Sequence, residues 1–248
     1  MTEHTATVHK ATQHDSGIKH VSGRARYTDD VPEPAGILHV VPGMAGIASG
    51  RIKSLDLDPV KQAPGVVAVL TVEHIRGEND TSPAGIGDDP VFAENEVTFH
   101  GQALFAVIAT NRLAARKAAR LAIVDYEADA APILSAADAL EADSEILESY
   151  QFLRGDPNAA IAKAPHRLTS GMAIGGQEHF YLEGQIAMAI PGEDGDMTVL
   201  SSTQHPTEVQ HVVSHILDVP LHAVTVETRR MGGGFGGKES QASQWAGI

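Results

Sequence analysis

The chain has 248 residues, 42% of them apolar and only 4% aromatic, with 32 acidic against 18 basic side chains. That length suits one large domain or two ordinary ones, with a core resting on Val, Ile, Leu and Ala. A net charge of −14 argues against nucleic acid and anionic membranes as partners, and the absence of Cys excludes disulfides, thiolate zinc sites and Cys-ligated iron–sulfur clusters within these residues. The first sixteen residues are polar and lack the apolar stretch of a secretory signal. Their histidines, His4, His9 and His14, are expected in a disordered tail, not in a metal site. No run has the length of a membrane span, and the cysteine-free chain points to the reducing cytoplasm.

Residues 23 to 127 are expected to form an α/β unit. Ile37–Val41, Val66–Leu70 and Ala103–Ala109 have strand length and composition. Asn111 can cap a helix running to about Arg120, with Arg112, Arg116, Lys117 and Arg120 on its exposed face. Ala122–Tyr126 is expected as a returning strand, which would complete a βαβ unit. Gly77–Pro90 is a loop by composition. No clustered catalytic set appears here, which favours a structural or docking role for this half.

Residues 128 to 164 are a connection. Ala136–Ala142 is rich in Ala and acid, and Gly155-Asp156-Pro157 marks a turn before a short helix at Asn158–Lys163. Thr169–Ile174 and Tyr181–Ile190 then bracket Gly175-Gly176-Gln177-Glu178-His179-Phe180. Taken in a strand, Glu178 and His179 would point to opposite faces, which favours a structural His over a metal pair. Pro191–Asp196 has the composition of a hairpin loop and leads into a strand at Met197–Ser202.

Pro206 at a first helical position, with Glu208 in the first turn, starts a helix. Val209, Val212, Val213, Ile216 and Leu217 recur at helical spacing, and Asp218-Val219-Pro220 ends the stripe. His211 and His215 are spaced i, i+4, but position 212 is Val, so they do not complete a zinc motif and are expected in solvent. Ala223–Thr228 alternates as a second strand. Strand, helix and strand imply a parallel crossover, which places Gln204 and the loop after Thr228 at one carboxyl edge of a sheet.

That loop is Arg229-Arg230-Met231-Gly232-Gly233-Gly234-Phe235-Gly236-Gly237-Lys238-Glu239-Ser240. A glycine run lets backbone N–H groups approach a ligand and form an anion-binding concavity. It matches a dinucleotide fingerprint, but the acidic residue that motif needs about 20 positions further on would fall after Ile248. It also matches a P-loop up to Lys238, where Glu239 then occupies the position of the magnesium-binding Ser or Thr. A nucleotide is therefore disfavoured. Glu239, in the first turn of the helix expected after Lys238, would face the rim of the site.

Ser202-Thr203-Gln204, the crossover unit and the Met231–Glu239 loop together resemble the molybdenum-binding subunit of xanthine dehydrogenase, in the xanthine oxidase and aldehyde oxidase family. Gly176–Glu183 is similar to another block of that family. Pro64-Gly65-Val66-Val67-Ala68-Val69-Leu70 and Gly101-Gln102 are similar to the hammerhead domain that precedes the molybdenum domain. The resemblance covers nearly everything after about residue 17. It implies a mixed α+β architecture, with a hammerhead domain over 17–130, a linker over 131–160 and the first molybdopterin-binding domain over 161–248, opening with the βαβ unit.

The resemblance also implies a molybdenum–molybdopterin cofactor and the oxidation of hypoxanthine or xanthine to urate. Electrons would pass to iron–sulfur clusters and FAD on a partner chain, and then to NAD. It implies a hetero-oligomer with that partner. It places Gln204 against the apical oxo ligand and the Phe235 backbone amide against the metal's ligand sphere, with Gly234 and Gly236 holding the cofactor. Glu239 would hydrogen-bond the purine, where aldehyde-oxidising relatives carry an apolar residue. Two departures matter. Pro42-Gly43-Met44 stands where relatives have a Ser-Pro-His-like run. The family's general-base Glu, its substrate-binding Arg and its sandwiching aromatics are expected beyond Ile248. No catalytic residue is therefore assigned within these residues, and the 248 residues alone are expected to bind cofactor poorly and turn nothing over. A related hydroxylase for an aldehyde or another N-heterocycle, and an inactive paralogue, are the alternatives.

Overall fold

The computed structural model describes residues 10–83, 85–129, 131–144 and 149–248; the expected tail through His4 and His9 lies outside them. The segment ending at Glu127 together with His179–Ile248 forms one compact unit, and Ala128–Glu178 forms a second. In the first, a short helix α1 (Gly17–Val21) precedes β1 (His39–Met44), β2 (Gly50–Asp56), α2 (Asp58–Lys61), β3 (Val66–Leu70) and β4 (Glu96–Val97). There follow β5 (Ala103–Ala109), α3 (Arg112–Ala119) and β6 (Ile123–Ala128).

β5 is central in a sheet of order β1-β5-β3 and antiparallel to both neighbours. Its near-continuous apolar run is explained by burial on both faces. Phe105, Val107 and Ala109 cluster with Ala115 and Ala118 of α3, whereas Ala106 joins a separate cluster. Gly43 pairs with Phe105 across the strands, and a Cβ at Gly43 would overlap the Phe105 ring, so the Pro-Gly-Met segment is what admits this aromatic. α3 begins where expected: the Asn111 side chain accepts the Ala114 N–H at 2.8 Å.

The βαβ unit expected around α3 is not formed. β5 lies in the first sheet, but β6 lies in a second of order β4-β2-β6. β2, whose Ile52, between exposed Arg51 and Lys53, and Leu55 both pack on the core, supplies the alternative neighbour for β6. Tertiary pairing thus overrides the local strand–helix–strand pattern.

The second unit carries α4 (Ala136–Glu141), capped by Ser135, and α5 (Pro157–Lys163), capped by Asp156 after the expected turn. Neither helix has a buried residue. Gly175–Phe180 and the residues 169–174 before it form no strand, and the next strand begins only at Ala187. These residues join none of the described sheets, and an extended segment outside a ladder gains too little to hold strand geometry.

The first unit resumes with β7 (Ala187–Pro191), which forms the expected hairpin with β8 (Met197–Ser201), Pro191 opposite Met197. Next come α6 (Pro206–Leu217), β9 (Val224–Glu227) and α7 (Gln241–Gly247). β8 and β9 pair in parallel, so the second βαβ unit is present as expected. The α6 stripe is divided between two cores. Val209 and Val213 pack with Val199 of β8 and Val224 of β9, while Val212 and Ile216 pack with Val91, Phe92, Ala103 and Ala106. The Gly77–Pro90 loop also reaches α6: Gly77 donates its N–H to the Ile216 carbonyl at the helix end, and Glu78 donates to the His215 carbonyl, which also accepts from Asp218. The hammerhead-like half therefore fixes α6, and α6 presents its N-terminus to the glycine loop. His211 and His215 are exposed.

Candidate cofactor site

Because β8 and β9 run parallel, the segments that follow them leave from one edge of the sheet. The expected meeting of Gln204 with the glycine loop is observed. Gln204 donates its N–H to the Lys238 carbonyl at 2.8 Å, and the Thr203 hydroxyl donates to the same oxygen at 3.3 Å. Gln204 Oε1 accepts from the N–H groups of Gly236 at 2.8 Å and Lys238 at 3.3 Å. A backbone N–H can only donate, so these contacts fix the amide flip and leave Nε2 as the donor end.

The loop rests on Lys238, which is 0% exposed. Its ammonium lies 3.3 Å from Glu183 Oε2 and 4.7 Å from the centroid of the Tyr181 ring. Glu183 Oε2 also accepts the Gly232 N–H at 2.7 Å, and Oε1 accepts the Thr28 N–H at 3.3 Å. Gln185 Nε2 donates to the Gly237 carbonyl at 2.7 Å. A Cβ on Gly232 would run into Glu183, and one on Gly234 would sit 2.5 Å from Gln204 Oε1. Close approach to these side chains, on top of backbone freedom, explains both glycines.

Between these anchors the chain bulges. Gly233, Phe235 and Gly236 have φ of 102°, 53° and 95°. For Phe235 that conformation costs on the order of 1–3 kcal/mol, and the side chain is 75% exposed, so it gains little burial in return. Among the described residues, the N–H groups of Gly233, Gly234 and Phe235 meet no acceptor. Three consecutive donors without an acceptor are of the kind that serves an anionic or oxo-rich group.

Glu239 does not lie in the first turn of the following helix. It lies in a bend just before Ser240, the residue flanking α7, because the loop winds through successive turns from Phe235 to Lys238 before the helix can start. It is exposed and near Glu208 of α6. Glu208 is 14% exposed; its Oε2 lies 3.4 Å from His205 Nδ1, and its buried Oε1 has no partner among the described residues. Burial pushes the Glu208 carboxyl above its ordinary value of 4.5; His205 opposes this, and the charge of Glu239 adds to it. The folded chain then binds more protons than the unfolded one, so stability falls as pH rises from about 4.5 through the raised value. Glu208→Gln is expected to raise the melting temperature at pH 7 and to flatten that fall, as scanning calorimetry between pH 4 and 8 would show.

Lys238, Glu183, Tyr181 and Gln185 escaped the reading of the sequence. Lys238 looked like a failed P-loop lysine. That it is a buried cation paired with an acid 55 positions away leaves no local pattern.

Two family models match the chain. One is the aldehyde oxidase and xanthine dehydrogenase, a/b hammerhead domain, over residues 22–130, and the other is the molybdopterin cofactor-binding domain, over residues 140–248. This chain belongs to the xanthine dehydrogenase and aldehyde oxidase family. It is 38% identical to the xanthine dehydrogenase of Blastobotrys adeninivorans over 97% of this chain and 17% of that one. It is 39% identical to a nicotinate hydroxylase of Emericella nidulans over 92% of this chain and 17% of that one. The chain thus spans about a sixth of the length of the curated relatives it matches. Its fold is similar to that of an aldehyde oxidoreductase from Desulfovibrio gigas, with a TM-score of 0.79 and 24% identity, covering 94% of this chain and 28% of that one. The mixed α+β architecture and a molybdopterin-binding segment therefore stand as expected. Among the described residues no helix is long and apolar enough to cross a membrane.

Proposed function

We propose that this chain supplies the cofactor-facing wall of a molybdenum hydroxylase that oxidises a purine such as hypoxanthine or xanthine to urate. The observation that carries the reading is the bulge itself: three consecutive free N–H groups, Gly233 to Phe235, beside the donor end of Gln204 and one turn from the carboxylate of Glu239. This donor set suits a dithiolene-bound oxo metal centre, whose periphery carries acceptors and negative charge. When bound, that group supplies the oxygen transfer and takes up the electrons of the substrate carbon.

The residues of this chain would hold and orient. Gly234, Phe235 and Gly236 would carry the cofactor on their backbone, and Gln204 Nε2 would donate to its oxo face. Glu239 would accept hydrogen bonds from the ring N–H and exocyclic groups of the heterocycle. Hammerhead residues 17–130, a linker over 131–160 and the molybdopterin-binding residues 161–248 remain the proposed division. We assign the general base to sequence outside these residues, the iron–sulfur and FAD electron acceptors to a partner chain in a hetero-oligomer, and the cytoplasm as its location. The similarity to a nicotinate hydroxylase favours another N-heterocycle as the second reading.

Molybdenum and pterin content of the protein purified from its native host, with hypoxanthine, xanthine, nicotinate and benzaldehyde as substrates, tests the proposal. Bound molybdenum and purine oxidation are the expected result; a metal-free protein overturns it, and nicotinate turnover alone selects the second reading. Glu239→Val is expected to lower kcat/KM for xanthine about a hundredfold, equivalent to losing one or two charge-assisted hydrogen bonds, and to spare the aldehyde.

A further inference from the structure

Lys238 and Glu183 are the most deeply buried ionic groups beside the loop, with side chains 0% and 7% exposed. Such a pair is weak evidence for stability, because two charges have left water and an apolar pair of similar volume often serves as well. Its geometry points to another role. Glu183 Oε2 accepts at once from Gly232, where the bulge starts, and from the ammonium of Lys238, where the bulge ends. One carboxylate oxygen therefore ties together both ends of the segment that carries the three free N–H groups. The other oxygen accepts from Thr28, and Arg230 donates to the Arg26 carbonyl at 2.6 Å, so the stretch from Arg26 to Thr28 is strapped onto the same loop. Charge-assisted hydrogen bonds are roughly twice as strong as neutral ones, which suits a clamp that must hold a strained Phe235 against relaxation.

We infer that Glu183 and Lys238 are positioning residues that fix the shape of the glycine loop between Gly232 and Lys238, and that the strap through Thr28 tightens this clamp. The inference rests on the cofactor reading above, and goes beyond it in naming what sets the loop's shape. Neither side chain needs to touch the cofactor.

The test compares the holoprotein with the double variant Glu183→Met/Lys238→Met and with Thr28→Pro. The double variant refills the buried volume without charge and leaves the Gly232 N–H unclamped. Thr28 begins a single turn of 3-10 helix after an extended Tyr27, a position that accepts Pro, so Thr28→Pro removes the N–H while keeping the backbone path. Molybdenum per chain and the thermal midpoint are read together. The expected result is a double variant that melts within a few degrees of the parent yet retains about a tenth or less of its molybdenum, and a Thr28→Pro protein with a two- to threefold loss. Undiminished molybdenum in a folded double variant overturns the inference, since a purely structural pair would be replaced by the apolar one. If the double variant does not fold, undiminished molybdenum in Thr28→Pro overturns the strap and with it the clamp. Molybdenum absent from the parent would instead reject the cofactor reading itself, so the two failures are distinguishable.

Discussion

Lys238→Met is expected to destabilise the folded chain by about 3–5 kcal/mol, the cost of stranding one member of a buried ion pair. The change keeps the length and most of the volume of the side chain, so no cavity explains the loss. What remains is the Glu183 carboxylate, 7% exposed, with the N–H groups of Gly232 and Thr28 but without its cation. The ring of Tyr181 also loses its cation and gains an ordinary apolar contact. Urea denaturation of the parent and variant proteins measures the difference. A loss below about 1 kcal/mol would mean that water reaches Glu183 as it reaches a surface ion pair. The contrast with the apolar double variant is the informative one. Removing one charge is expected to cost far more than removing both, because the penalty lies in the unpaired carboxylate and not in the absent bond.

The same pair shows why part of the site was legible in the sequence and part was not. The βαβ unit announced itself through local signals: the apolar stripe from Val209 to Leu217, Pro206 at its start and alternation in Val224–Glu227. The structure has α6 and the parallel pairing of β8 with β9 where those signals put them. The meeting of Gln204 with the glycine loop followed from that topology, since both leave the carboxyl edge of adjacent strands. Partners chosen by tertiary packing left no such trace. β6 left the β5-α3 pattern for β2, and Gly175–Phe180 joins none of the described sheets. Glu239 fell outside the helix because the loop turns on itself until Ser240, and hydrogen bonds such as Glu239 N–H to the Gly236 carbonyl are not encoded by residue type when three of four neighbours are small. Residues 23 to 127 carry no clustered catalytic set in the sequence. Their part in the site is to hold α6 from below, through Val91, Phe92 and Ala106.

Gly234→Ala carries the second large effect, and this one should separate function from folding. The new methyl would fall 2.5 Å from Gln204 Oε1 and 2.7 Å from its Cδ, too close for either atom to remain. Gln204 is exposed, so its side chain can swing into solvent and relieve most of the overlap. The stability cost should then stay near 1–2 kcal/mol, typical of a small overpacking change. The swing has a larger consequence for the site. Gly236 and Lys238 lose the acceptor that holds their N–H groups, and the donor end of Gln204 leaves the edge of the loop. Losing even 1.4 kcal/mol of cofactor affinity is a factor of ten in Kd, so molybdenum per chain should drop by up to tenfold where free cofactor is limiting, while the protein remains folded. Gly46→Ala is the matched control, since a Cβ there would meet nothing within 4 Å and the position lies away from the loop. Full molybdenum content in Gly234→Ala would show that the loop keeps its cofactor without Gln204, and the donor role given to that side chain would then have to pass to the free N–H groups of Gly233 to Phe235 alone.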